Sequence, residues 1–203
     1  RVQGPAPRCE VPPAAPPVGT FPVQAQGARV LDNTFEARVL PGRPATTSFS
    51  WEAVQGHHLR DVLLAGLPGH VFFPDGTVLA ACLRGSREPA RKIRRPLARL
   101  ARRSEGPLLH LAGPNPENIG HFVFDQLPRL LPLEPVLRGR PDFQVLLSGQ
   151  PRPWHREFLA PFGIRPEQLI AQGPGTLAVA ECHYVPIRGG VGKLADPAAY
   201  LAL

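Results

Sequence analysis

The chain has 203 residues, a formal net charge of +7, 43% hydrophobic residues, 27 prolines and no methionine. That length suffices for one sizeable core, or one core with a small appendage, and no run approaches the ~18 uninterrupted apolar residues of a membrane span. Cys9, Cys82 and Cys182 are odd in number, widely spaced and free of any C-x-x-C pattern, which argues against a disulfide framework or a zinc site and fits a reducing compartment.

Taken in chain order, residues 1–22 hold seven prolines without periodicity, the composition of an extended, weakly ordered lead-in. They contain no apolar central run of the signal-peptide kind. A start at Arg1 and the absence of methionine lead us to expect a piece of a longer product. Residues 23–83 read as a small β-rich subregion. Its clearest element is Val71 to Leu79, where Asp75-Gly76 between apolar runs predicts a tight hairpin. His57-His58 beside Gly56 reads as a solvated loop, and Trp51 and Trp154 as packing aromatics.

The charge is concentrated in residues 84–105. Nine basic side chains between Arg84 and Arg103 face one acid, Glu88, giving +8 in a chain of +7, so the remainder sums to about −1. Ile93, Leu97 and Leu100 recur at helical spacing, predicting a basic amphipathic helix that starts near Pro96. Arg91, Lys92, Arg94, Arg95, Arg99, Arg102 and Arg103 could then contact an anionic membrane surface. No aromatic residues interleave with these charges, so a stacking platform for nucleic acid is missing and no nucleic-acid partner is expected.

Residues 106–188 change pattern to strand, helix, strand, helix, strand. Strands are predicted at Leu108–Ala112, Phe143–Leu147, Leu169–Ile170 and Leu177–Val185, and a second helix at Pro153–Phe162, stopped by Gly163. Such alternation predicts an α/β fold, a Rossmann-like, mostly parallel sheet with helices on its faces. Cys182 beside His183 reads as a small buried strand residue rather than a thiol nucleophile or ligand. Gly189-Gly190-Val191-Gly192-Lys193 lacks the spacing and the trailing Ser/Thr of a phosphate loop. Residues 189–203 therefore read as the start of an interdomain linker.

The first helix of this unit carries the candidate chemistry. Asn115 is placed to cap it, with Pro116 at the first helical position. At ~100° per residue, Asn118, His121, Asp125 and Arg129 fall on one side, while Ile119, Val123, Leu127 and Leu130 fall on another. His121 and Asp125, four apart, can touch, and the carboxylate would orient the imidazole and prepare it to accept a proton. Arg129 could pair with the same carboxylate or reach a phosphate. Pro128 should kink the helix after Phe124. The strand-end loop through Asn115 and Glu117 is where open α/β sheets bind ligands.

The string Asn118-x-Gly120-His121-Phe122-x-x-Asp125-x-Leu127-Pro128-Arg129-Leu130 resembles the signature helix of glycosyltransferase family 61. That family includes enzymes that add N-acetylglucosamine or xylose and bacterial proteins of capsular polysaccharide biosynthesis. Val145-Leu146-Leu147, the helix from Trp154, Phe162-Gly163-Ile164 and Tyr184-Val185-Pro186 follow in the family's order, so the resemblance covers about residues 70–190. It implies the amino-terminal half of an inverting, metal-independent GT-B enzyme. Such an enzyme moves sugar from a nucleotide-sugar donor to a glycan or lipid-linked acceptor. His121 would be the base, Asp125 its orienter or the alternative base, Asn118 a sugar or phosphate ligand, Arg129 an electrostatic support, and Asn115 and Glu117 further substrate contacts. A cytoplasmic location, peripheral to the inner membrane face, would suit it. The family's second half is expected beyond Leu203. The competing expectation is a non-catalytic carbohydrate-binding or membrane-associated remnant.

Overall fold

The computed structural model describes residues 19–24, 27–32, 46–51, 54–83 and 101–186. The expected amphipathic helix, the linker from Gly189 and most of the Pro-rich lead-in lie outside the described residues. Within them the protein is a mixed α/β structure.

Its centre is a parallel unit. β7 (Leu108–His110), β8 (Gln144–Ser148) and β9 (Leu169–Gln172) run parallel in consecutive order, and β10 (Thr176–Tyr184) lies parallel on the other side of β7. β8 is buried along almost its whole length, as expected of a strand covered on both faces. The helical crossover from β7 to β8 comprises α2 (Ile119–His121), a π turn (Phe122–Gln126), a 3-10 run (Leu127–Leu133) and α3 (Glu134–Gly139). The crossover from β8 to β9 contains α4 (Pro153–Leu159) and a 3-10 turn, Ala160–Phe162. Gly163 ends it as predicted, at φ 73°, a left-handed conformation that a Cβ would strain.

The expected domain boundaries do not hold. Residues 23–83 do not stand as a separate subregion, because β4 (Val54–Ala65) pairs antiparallel with β10 over nearly its full length. β1 (Gly19–Gln24), partly inside the expected lead-in, extends the sheet beyond β4, and β5 (His70–Phe72) pairs with β4's far end. The sheet therefore has eight strands, with core order β1-β4-β10-β7-β8-β9. A separate two-stranded ladder joins β2 (Gly27–Asp32) and β3 (Thr46–Trp51). Arg102 and Arg103, expected on the basic helix, instead form β6, a short parallel partner of β10, and the Arg102 guanidinium donates to Ala171 O at 3.0 Å. His57 and His58 sit in β4, not in a solvated loop.

Two cores flank the sheet. On one face Leu109, Leu111, Val145, Leu147 and Val185 pack against Phe122, Leu127, Leu130, Leu133, Leu159 and Ile164 of the two crossovers. On the other, Leu59, Leu64, Leu108, Leu146, Cys182 and Tyr184 pack against Val71, Phe73 and Leu79. Among the described residues, helices of the two crossovers cover the first face, and only one short helix lies on the second. The second face is closed by the predicted Asp75-Gly76 hairpin, where Phe72 bridges Val78 and the Asp75 carboxylate accepts from the Thr77 N–H at 2.8 Å, followed by α1 (Ala80–Leu83). Burial raises the Cys182 thiol to about 12 and the Cys82 thiol to about 11. Both are inert packing groups. Among the described residues, no helix is long and apolar enough to cross a membrane.

Candidate functional site

The parallel unit contains a change of direction. From β7 the chain proceeds outward to β8 and β9, whereas β10 returns on the opposite side of β7. Ligand crevices of open α/β sheets form at such points, outside the carboxyl ends of the strands. Here that position holds Ala112 to Asn118 after β7, the first helical turn, and Val185 after β10.

The helix begins three residues later than the sequence predicts. Asn118, not Asn115, is the cap: its Oδ1 accepts from the Gly120 N–H at 2.9 Å and the His121 N–H at 3.3 Å. Asn115 stands in the turn before it at φ 56°, a left-handed conformation that asparagine tolerates better than most residues. The turn is closed by the Asn118 N–H to Asn115 O. Asn118 is thus committed through its oxygen to the helix start, while Asn115 is free to face the first turn.

His121 and Asp125 meet as the spacing predicts, with His121 Nδ1 donating to Asp125 Oδ2 at 2.6 Å. Because the carboxylate can only accept, Nδ1 carries the proton of that bond. The Asn115 amide Nδ2 lies 3.2 Å from the ring's Nε2 and donates to it. The three side chains form a chain of hydrogen bonds, Asn115 to His121 to Asp125, that ends on the carboxylate. The His121 side chain is 39% exposed and Asp125 27%.

Arg129 does not join them. It is 1% exposed, the largest fully buried side chain among the described residues. Its Nε donates to Val185 O at 2.5 Å, Nη1 to Ala112 O at 3.1 Å, and Nη2 to His110 O at 2.6 Å and to His110 Nδ1 at 3.3 Å. The guanidinium lies 5.3 Å from the Tyr184 ring centroid. His110 accepts from arginine because its other nitrogen, Nε2, donates to Gly69 O at 2.6 Å. Burial, then the adjacent Arg129 charge, lowers the His110 pKa to about 3, so the ring is neutral. Arg129 therefore ties the carboxyl ends of β7 and β10 together from within. The expectation that it pairs with Asp125 or reaches a phosphate is overturned.

The cause is the helix itself. Pro128 has no N–H to give the Phe124 carbonyl, and its ring would clash with that carbonyl in a regular α-helix. The chain responds with the predicted irregularity after Phe124, in the form of a π turn in which the Leu127 N–H reaches back to Phe122 O, followed by a 3-10 run. The extra residue per turn rotates everything beyond it. Arg129 and Gln126 swing inward and are buried, while Phe124 is left 59% exposed.

The neighbouring strand end contributes a residue the sequence reading missed. Arg152, the residue before α4, forms an ion pair with Glu117 across the two strand-end loops. Its signal was positional: it follows β8 as Asn115 and Glu117 follow β7. Behind it, buried His155 accepts from the Arg152 N–H through Nδ1 at 2.9 Å, consistent with a pKa lowered to about 4 by burial and the Arg152 charge.

A cavity of about 650 Å³ opens elsewhere, among the segments that precede β8 and β9, lined by Leu137, Arg138, Arg140, Phe162 and Arg165 among others. None of the expected site residues lines it. Its arginines are already paired, Arg138 with Glu134, Arg140 with Asp142 and Glu181, and Arg165 with Glu167. The residues the sequence singles out thus gather at the strand ends and not at this cavity. No protein-family model, curated protein or solved structure matches the chain.

Proposed function

We propose that this protein takes part in glycosyl transfer, with His121 as the general base of an inverting reaction. The observation that carries the reading is the Asn115–His121–Asp125 chain of hydrogen bonds, in which a carboxylate fixes Nδ1 of an exposed ring and an amide donates to Nε2. In inversion, an acceptor hydroxyl attacks the anomeric carbon directly while the nucleoside diphosphate departs. The hydroxyl proton has to be taken as attack proceeds. An acceptor hydroxyl that displaces the Asn115 amide from Nε2 gives that proton to His121, and Asp125 stabilises the imidazolium formed. The freed Asn115 amide can then hold a second hydroxyl of the sugar.

In this reading Arg152 and Glu117 lie at the rim, where Arg152 can leave its exposed partner for an anionic ligand. Asn118 orients the first turn, and Arg129 braces the strand ends without touching substrate. The parallel unit corresponds to the acceptor side of a GT-B enzyme, whose donor nucleotide is held by a second α/β unit. The resemblance of the Asn118 to Leu130 string to the family 61 signature supports this assignment.

The test is sugar transfer by the full-length gene product, screened against a panel of nucleotide sugars and read as nucleoside diphosphate release with and without glycan acceptors. His121→Ala is expected to lower the rate by on the order of 10²- to 10⁴-fold, the usual contribution of a general base. A rate near wild type in that variant removes His121 from the chemistry.

A further inference from the structure

A second group of side chains, built on other elements, has its own geometry. Strand alternation places Glu181 and His183 on the same face of β10, and the antiparallel ladder sets His58 of β4 directly opposite His183. The two imidazoles stack with centroids 4.4 Å apart and planes 10° from parallel. His58 Nε2 lies 3.0 Å and His183 Nε2 3.5 Å from the same atom, Glu181 Oε1. One donor atom from each residue falls within 4.8 Å of the others.

The two separations from Oε1 lie close to those of a coordination polyhedron. Ligands at zinc-to-nitrogen and zinc-to-oxygen lengths of ~2.0–2.2 Å on a tetrahedral ion stand about 3.3 Å apart. Binding would require the two stacked imidazoles to turn their nitrogens toward one point from within 4.8 Å of each other. Glu181 is held by hydrogen bonds from Arg140 and His58. Arg140 Nη1 lies 3.1 Å from both carboxylate oxygens, and its guanidinium also binds Asp142. The carboxylate is thus oriented from behind, as outer-shell partners orient metal ligands. His183 is buried, with the edge of Phe143 at 5.4 Å. Its Nδ1 has no hydrogen-bond partner, so that nitrogen is open to take the ring proton when Nε2 turns from Glu181 to an ion. The His58 and Glu181 side chains are 28% and 25% exposed, which gives an ion a path in and leaves a side open to solvent.

We propose that His58, Glu181 and His183 form a three-ligand site for a divalent metal ion of the zinc class, completed by a solvent molecule. Two imidazoles and one carboxylate suit zinc and cobalt over magnesium or calcium, which prefer all-oxygen shells. The ion replaces the contacts that the two imidazoles make with Oε1, while Arg140 keeps its hold on the carboxylate. The site bridges the antiparallel pair that joins the amino-terminal strands to the parallel unit. It is independent of the glycosyl-transfer reading.

Untagged full-length protein, stripped with a chelator, would be titrated with cobalt(II) and followed by visible absorption and calorimetry. The expected result is a tetrahedral cobalt band that saturates at one ion per chain, disappears when zinc(II) is added, and is accompanied by a higher thermal midpoint. His58→Gln and Glu181→Gln, both at partly exposed positions, should each weaken binding by ten-fold or more while circular dichroism matches wild type. No band in the wild-type protein overturns the site. A band that persists unchanged in both variants assigns the metal to other residues and equally overturns it.

Discussion

His121 and Arg129 belong to one helical stretch and look alike in sequence, as polar residues spaced to share a face, yet the fold separates them completely. The His121 side chain is 39% exposed and its hydrogen bonds go to two side chains, whereas Arg129 is 1% exposed and binds mainly carbonyls. A residue whose partners are side chains at an open strand end can exchange them for a ligand. One whose partners are backbone carbonyls cannot do so without undoing the strand ends. The π turn between them leaves one at the surface and turns the other into the interior.

The sharpest way to break this comparison is to remove the architectural member. Arg129→Ala should cost about 3–5 kcal/mol in denaturant unfolding, because it empties a buried volume and strands the carbonyls of His110, Ala112 and Val185. A loss below about 1 kcal/mol would mean that the guanidinium is not what holds those ends together.

Acid should find the same cluster. His110 is held neutral with a pKa of about 3 and His155 with one of about 4, both chiefly by burial. In the unfolded chain both take up a proton near the ordinary histidine value of about 6.5. Between these limits the unfolded state binds more protons, so stability is full above pH ~6.5 and falls progressively as pH drops toward 4. Unfolding midpoints measured across that window should decline, and His155→Gln should flatten the slope.

A smaller effect is expected where the arginine cluster meets the loop after β4. A Cβ at Gly69 would come within 2.6 Å of His110 Nε2, and the residue has φ 67°. Gly69→Ala should therefore cost about 1–3 kcal/mol by strain and by displacing the histidine. At the other extreme, Glu117→Gln should change stability by less than about 1 kcal/mol, since both partners of the Glu117–Arg152 pair are solvent-exposed. Equilibrium unfolding of these two variants sharpens the contrast between interior and rim.

Several local signals in the sequence held, although Asn115 was not the cap it promised to be. Asp75-Gly76 gave the hairpin, Gly163 the helix end, the apolar run at Val145 the central strand, and the i,i+4 spacing the His121–Asp125 contact. What escaped depended on distant partners or on accumulated rotation. The pairing of β4 with β10 joins residues more than a hundred positions apart, so His58 and His183 had no visible relation, and His57-His58 beside Gly56 read as a loop. Pro128 announced an irregular helix, but a uniform 100° projection carried Arg129 to the wrong side because the π turn adds a residue. Arg152 was legible only by its position after β8, once β8 is known to lie beside β7.

The most direct test of the division of labour is to measure turnover and unfolding on the same preparations of full-length His121→Ala. The account predicts an unfolding free energy within about 0.5 kcal/mol of wild type, as for a surface side chain, together with a sugar-transfer rate reduced at least 100-fold. A variant that unfolds several kcal/mol more easily while transferring sugar at the wild-type rate would contradict it, placing His121 in the scaffold and leaving the reaction without its base.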